Sequence, residues 1–263
     1  MTTLIFALIV FVGSFIAGLL GSLTGLGGGV VIIPMLTLLF NVDIHYAIGA
    51  SLVSVIATSS GAAAAYVKEG ISNIRIGMFL EIATTTGAVA GAMIAIYSPT
   101  NLIAIIFGIV LIFSAAISMK KKNEEVVLAS PGRLSQILKM NGSYPTSEGD
   151  IKYNVQHVPT GFFMMIVAGI ISGLLGIGSG ALKVIAMDHF MKLPFKVSTT
   201  TSNFMIGVTA AASAGIYFHR GYINPGLSMP VVLGVICGAF IGSKVLLKAQ
   251  TKWLRVIFEI VIT

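Results

Sequence analysis

The chain has 263 residues, a formal net charge of +7, 56% hydrophobic residues and only 10% charged ones, with a mean hydropathy of +0.98. A soluble domain carries about 25% charged residues, so this chain lacks the polar surface that a water-facing globule needs. Its cations do not form a nucleic-acid footprint either. Six of the 16 Lys and Arg (Lys120, Lys121, Lys122, Arg133, Lys139 and Lys152) crowd one central polar stretch, and most others end apolar runs, as bilayer topology requires.

The first apolar run, Leu4–Leu23, has no Lys or Arg before it and no clean small-x-small cleavage site, so a permanent span is expected. Gly28–Phe40 follows, with only 13 residues and Pro34 inside it. A crossing takes about 20 residues, so this second segment is either a tilted, broken helix or a re-entrant one shielded from lipid. His45–Val67, Ile74–Tyr97 and Leu102–Met119 are near full length. Lys120 to Val158 reads as a polar, mobile loop. Beyond it come Thr160–Leu175, the short Gly180–Met191, Val197–Phe218, Leu227–Leu247 and a last segment from Trp253. The lone Cys237, inside an apolar run, is expected to be a small packing residue.

The two halves are related. At a constant offset of 151, residues 25–91 match 176–242 with 13 identities in 67 positions, where chance gives roughly five. The identities include Gly25/Gly176, Gly27/Gly178, Gly29/Gly180, Ser51/Ser202, Thr58/Thr209, Tyr66/Tyr217 and Asn73/Asn224. On the same offset Thr263 falls on Ile112, so the last segment ends about seven residues short of its counterpart. With the N-terminus outside and every segment crossing, Lys68, Arg75, the central loop, Lys192, Lys196, Lys248 and Lys252 fall inside; Arg220 is the exception. Five spans per half would invert the second half relative to the first, a transporter design. The expected fold is therefore an all-α integral membrane protein of about ten hydrophobic segments, eight if the short ones re-enter, in two inverted repeats. Residues 1–119 make the first repeat, 120–158 a cytoplasmic loop and 159–263 the second repeat.

The strongest local signal is the pair of runs Gly25-Leu-Gly-Gly-Gly and Gly176-Ile-Gly-Ser-Gly, each ahead of a short segment. A glycine-rich break opening a helix presents free N–H groups to an anion, and in transporters such ends hold substrate near the midplane. Close helix packing is the competing explanation of the same glycines. No Gly-Lys-Ser/Thr follows, so a nucleotide loop is excluded. Gly27, Gly28, Gly29, Gly178, Ser179 and Gly180 are the candidate contacts. To them are added Ser51 and Ser54 in the first half and Thr201, Ser202 and Asn203 in the second, where six consecutive residues, Ser198 to Asn203, carry hydroxyl or amide groups. Such groups donate hydrogen bonds to an oxyanion without a full charge that would trap it, although Ser and Thr also bond back to their own helices. Lys183 and Glu81 are ionisable residues in apolar segments, which normally face a bundle interior. Lys183 would add positive charge to the anion site unless it snorkels to an interface. Glu81 would pair with Arg75 or Lys183, or carry a coupled proton. No metal spacing and no nucleophile–base pair is visible, so neither cofactor nor enzymatic chemistry is expected.

Gly18-Leu-Leu-Gly, Gly25-Leu-Gly-Gly-Gly, Ala50-Ser-Leu and Gly70-x-x-Asn in the first half resemble the sulfite exporter TauE/SafE family. So do Ser172-Gly-Leu-Leu-Gly-Ile-Gly-Ser-Gly, Ser198-Thr-Thr-Thr-Ser-Asn and Tyr217-x-x-x-Gly-Tyr-Ile in the second. The resemblance covers nearly the whole chain apart from the central loop. It implies a permease that moves a small sulfur-containing anion, such as sulfite, thiosulfate or an organosulfonate, across a cytoplasmic membrane. The expected partners are that anion and the lipid bilayer, with no nucleic acid; assembly into a homo-oligomer is left open. A passive anion channel and a membrane-embedded enzyme or assembly factor are the rival readings.

Overall fold

The computed structural model describes residues 3–118, 132–146 and 149–248, with 253, 254, 256, 257 and 261 beyond them. The expected last segment and its end therefore lie largely outside the described residues. The first half comprises α1 (Thr3–Thr24), α2 (Gly29–Pro34), α3 (Ile44–Lys68), α4 (Ile74–Ala95) and α5 (Thr100–Ser118). A short helix α6 (Arg133–Ile137) and strands β1 (Gly142–Thr146) and β2 (Gly149–Tyr153) lead to the second half. That half holds α7 (Val158–Leu175), α8 (Gly180–Ile185), α9 (Phe195–His219) and α10 (Pro225–Lys248).

Local chemistry sets the helix ends. Asp43 caps α3 by accepting the His45 N–H at 2.9 Å, and Asn73 caps α4 by accepting that of Ile76 at 3.1 Å. Pro159 stands in the first turn of α7, and Pro225 begins α10, where a missing N–H costs nothing. Both short helices widen into a π-turn, at Met35–Leu39 after α2 and at Ala186–Phe190 after α8. Pro34 precedes the first, yet the second forms without any proline, so proline alone does not cause the widening.

Helix α1 packs on α10, α4 on α7, and α3 on α9; α3 also meets α10 and α4 meets α9. Small residues make these contacts close. A Cβ on Gly18 would stand 2.6 Å from Val235 Cα, and one on Gly169 would stand 2.9 Å from Thr84 Cα. Outward faces are apolar: Met78, Ile82 and Met93 on α4 and Met229, Leu233 and Phe240 on α10 are exposed, as a lipid-facing stripe requires. Among the described residues, five helices (α1, α3, α4, α7 and α10) are long and apolar enough to cross a membrane. Helix α9 equals α3 in length, but its polar opening turns keep it out of that group.

The fold is an all-α membrane bundle, as expected, but the central stretch is more than a polar loop: β1 and β2 pair antiparallel, Gly142 with Tyr153 through Thr146 with Gly149. Met140, Tyr144, Tyr153 and Val155 are buried in a second core with Ile76, Leu80, Met187 and Val197. Alternating apolar side chains inside a charged stretch produced this, a signal that composition averages away. Burial pushes the Tyr153 phenol up, partly countered by its hydrogen bond with Asn73. Cys237, expected inside, is exposed on α10.

Candidate functional site

The breaks lie between a long helix and a short one: residues 25–28 after α1 and 176–179 after α7. Gly27 and Gly178 have φ of 80° and 68°, a left-handed conformation that explains why glycine stands there. Ser179 adopts φ 49° without being glycine.

The two breaks meet. A Cβ on Gly180 would fall 2.6 Å from Leu26 Cα, and one on Gly29 would fall 3.0 Å from Ile177 Cα. Ser51 on α3 donates to the Gly176 carbonyl at 2.8 Å. Ser202 on α9 donates to the Gly25 carbonyl at 3.0 Å, with the Gly180 carbonyl at 3.4 Å. Each serine thus holds the break of the other half. Gly27 and Gly178 both wedge against Val55 and Ile206; added Cβ atoms would stand 2.8 Å from Ile206 Cδ1 and 2.9 Å from Val55 Cγ1, respectively. Tyr66 donates to the Ser22 carbonyl at 3.0 Å, and Tyr217 to that of Gly173 at 3.2 Å. Apart from the Ser202 contact with the Gly180 carbonyl, each of these contacts has its counterpart at the offset of 151.

Other expected residues have partners of their own. Gly28 faces α1, where a Cβ would meet the Ala17 carbonyl at 2.9 Å. Ser54 bonds back to the Ser51 carbonyl at 2.6 Å, the local alternative for a helix hydroxyl. Thr201 accepts the Asn73 N–H at 3.0 Å, beside the start of α4. Asn203 donates to the Ser22 carbonyl at 2.9 Å, and its Oδ1 is buried without a partner. The hydroxyls of Ser179, Ser198 and Thr199 are also buried without partners.

Lys183 is fully buried and does not snorkel. Its Nζ donates to Thr209 at 2.5 Å and lies 3.9 Å from Glu81 Oε2. Thr209 in turn donates to Glu81 Oε1 at 2.6 Å, and Thr85 donates to the same oxygen at 3.1 Å. Arg75, the other partner considered for Glu81, instead donates to the Lys139 carbonyl at 3.0 Å. In the first half, Ile32 occupies the place of Lys183 and is fully buried, so the charged cluster has no twin. Among the described residues no group of three or more His, Cys, Asp or Glu could hold a metal.

Sequence reasoning did not place Val55, Ile206 or the two tyrosines at the junction, Thr209 between Lys183 and Glu81, or Asn73 beside Thr201. Thr209, Asn73, Tyr66 and Tyr217 were nevertheless marked as identities between the halves. That repeat signal could have found them; Val55 and Ile206 differ from each other and carried none.

Residues 10–263 match the sulfite exporter TauE/SafE family. The chain belongs to this family. Its relatives include the "Probable membrane transporter protein YunE" of Bacillus subtilis, 31% identical over 98% of this chain and 94% of that protein. A second Bacillus subtilis relative, "Probable membrane transporter protein YdhB", is 27% identical over 88% of this chain and 86% of its own. The archaeal "Probable membrane transporter protein MJ0441" of Methanocaldococcus jannaschii is 23% identical over 97% and 92%. No solved structure shows a significant match. Family membership and the apolar helices together make this TauE/SafE member a multi-pass membrane transporter.

Proposed function

We propose that this family member is a secondary transporter that moves a small sulfur-containing anion (sulfite, thiosulfate or an organosulfonate) across the cytoplasmic membrane by alternating access. The observation that carries the reading is the crossed pair of serine bonds, Ser51 to Gly176 and Ser202 to Gly25, at the junction of the two breaks. Two equivalent bonds on one pseudo-symmetric junction suit a protein whose halves, residues 1–119 and 159–263, exchange roles between two shapes. Inverted repeats satisfy that requirement, because each half can adopt the other's conformation when the site opens to the other side.

In this reading Gly27, Gly29, Gly178 and Gly180 let backbone approach the anion closely, and Ser51 and Ser202 exchange their carbonyl acceptors for substrate oxygens. Asn203, Ser179 and the first turn of α9 supply further donors; Gly28, Ser54 and Thr201 support the frame. Lys183 supplies the positive charge. A doubly charged oxyanion needs such groups because hydrocarbon offers no solvation.

The test is flux of labelled sulfite, thiosulfate and sulfoacetate into vesicles carrying the purified protein. Ser51→Ala and Ser202→Ala are each expected to lower transport about tenfold, the effect of losing one hydrogen bond of about 1.4 kcal/mol to a charged group. Wild-type vesicles that move none of the three anions would reject the substrate class.

A further inference from the structure

The buried Lys183–Thr209–Glu81 cluster has an arrangement that a purely structural ion pair does not need. Glu81 Oε1 accepts two hydroxyls, from Thr209 and Thr85, while Oε2 is buried, accepts no hydrogen bond and stands 3.9 Å from Lys183 Nζ. Lys183 has three N–H donors and spends one on Thr209. The cation is therefore held by a through-hydroxyl link, and its direct contact with the carboxylate is open. An anion with oxygen acceptors could take the free N–H groups without breaking the Thr209 link.

We propose that Glu81 is an internal stand-in for the transported anion, and that each anion bound at Lys183 brings one proton to Glu81. This rests on the reading above, in which Lys183 belongs to the anion site. Without substrate, carboxylate and ammonium balance each other. With substrate, two anionic groups would face one buried cation, and the low-dielectric surroundings make that excess charge costly. When Glu81 Oε2 takes a proton from the aqueous phase on the side the anion enters, one negative charge is removed, which balances a monoanion against Lys183 and leaves one unit of excess charge with a dianion. After the anion leaves on the other side, Lys183 again requires its counter-charge, and the proton is released there. The balance is one proton moved with each anion, in the same direction.

Little else near the cluster could take that proton. Helix α7 contains no Asp, Glu, His, Lys or Arg between Val158 and Leu175, and α5 has none between Thr100 and Ser118. On α9 the nearest such residues to Thr209 are Lys196 and His219, at the helix ends. Helix α4 adds only Arg75, bonded to the Lys139 carbonyl. Asp188 follows Lys183 on its own segment and lies 3.8 Å from His189. Glu81 is thus the carboxylate facing Lys183 at ion-pair distance.

Thiosulfate and isethionate hold no proton at neutral pH, so any proton moved with them belongs to the protein. In vesicles containing the wild-type protein and an entrapped pH dye, inward flux of either anion should acidify the lumen by about one proton per anion. An inside-alkaline gradient should concentrate the anion above its external level. Glu81→Gln, which mimics the protonated state, should lose that concentration while retaining anion-for-anion exchange within about threefold of wild type. If only sulfite is carried, bisulfite brings its own proton, so the reading is then the excess acidification per sulfite of the wild type over Glu81→Gln, and equal acidification by the two overturns the inference. Wild-type flux without lumen acidification overturns the inference while leaving the transporter reading intact, and so does a Glu81→Gln protein that still concentrates the anion. Absence of all anion flux overturns both. Because the dye measurement needs no variant, misfolding of Glu81→Gln cannot shield the proposal.

Discussion

At the residue scale, two features decide what this chain tolerates. The first is backbone contact at the junction. A methyl group on Gly180 would stand against the Leu26 backbone, which cannot swing away as a side chain could. Gly180→Ala is therefore expected to cost about 1–3 kcal/mol and to lower the unfolding temperature in detergent. Gly70 is the control: nothing lies within 4 Å of its would-be Cβ, but its φ is 68°. Gly70→Ala should cost only about 1 kcal/mol, from the left-handed conformation alone. The second feature is the buried charge. Lys183→Met strands Glu81 without a counter-charge, and the expected loss is about 3–5 kcal/mol. Adding Glu81→Gln to Lys183→Met should restore much of it, because both charges are then gone. A double-mutant cycle on thermal unfolding checks the sign; additive losses would show that the two residues are not coupled.

At the element scale, the hairpin breaks the equivalence of the halves. Asn73 caps α4, and its amide also donates to the Met140 carbonyl at 2.8 Å and to the Tyr153 hydroxyl at 2.9 Å. Its counterpart Asn224 accepts the Gly226 N–H at 2.9 Å, a turn bond without a hairpin to hold. Asn73→Ala should cost about 2–3 kcal/mol, a cap of about 1 plus two hydrogen bonds, whereas Asn224→Ala should cost about 1 kcal/mol. Limited proteolysis within β1 and β2 should accelerate in the first variant and not in the second. The hairpin also shows why sequence reading fell short in this stretch. Lys, Glu, Gly, Ser and Asn are abundant across residues 120–158, while Tyr144, Tyr153 and Val155 are buried, and Ile151 partly buried, in one core with Ile76, Leu80 and Val197. Burial of these few side chains among many polar ones leaves the average polar. The short helices were legible for the opposite reason: glycines on one side and a length of 13 residues or fewer mark them directly.

At the scale of the whole molecule, helix boundaries in the two halves recur at one offset: α2 with α8, α3 with α9, and the start of α4 with that of α10. The packing recurs with them, since α1 on α10 corresponds to α7 on α4. The proposed inversion of the halves in the bilayer makes a sided prediction. In a protein whose Cys237 is first replaced by Ala, Ser98→Cys should react with an impermeant maleimide on intact cells. Asp150→Cys, in the hairpin, should react only after permeabilisation. Labelling of both from outside would place the hairpin on the wrong side and remove the inverted arrangement.

Composition by itself determined that the chain belongs in a membrane, because too few charged residues remain to cover a water-facing surface. Periodic small residues and a constant offset determined that it has two related halves with a break in each. Tertiary structure alone decided which residues share a site. Ser51 meets Gly176 across 125 positions and Ser202 meets Gly25 across 177, and no local pattern encodes a partner at that distance. It likewise decided that Glu81 pairs with Lys183 and not with Arg75 six residues before it. On a helix, spacing says which neighbours can touch, but burial in a low-dielectric core decides which charge must be answered, and by what.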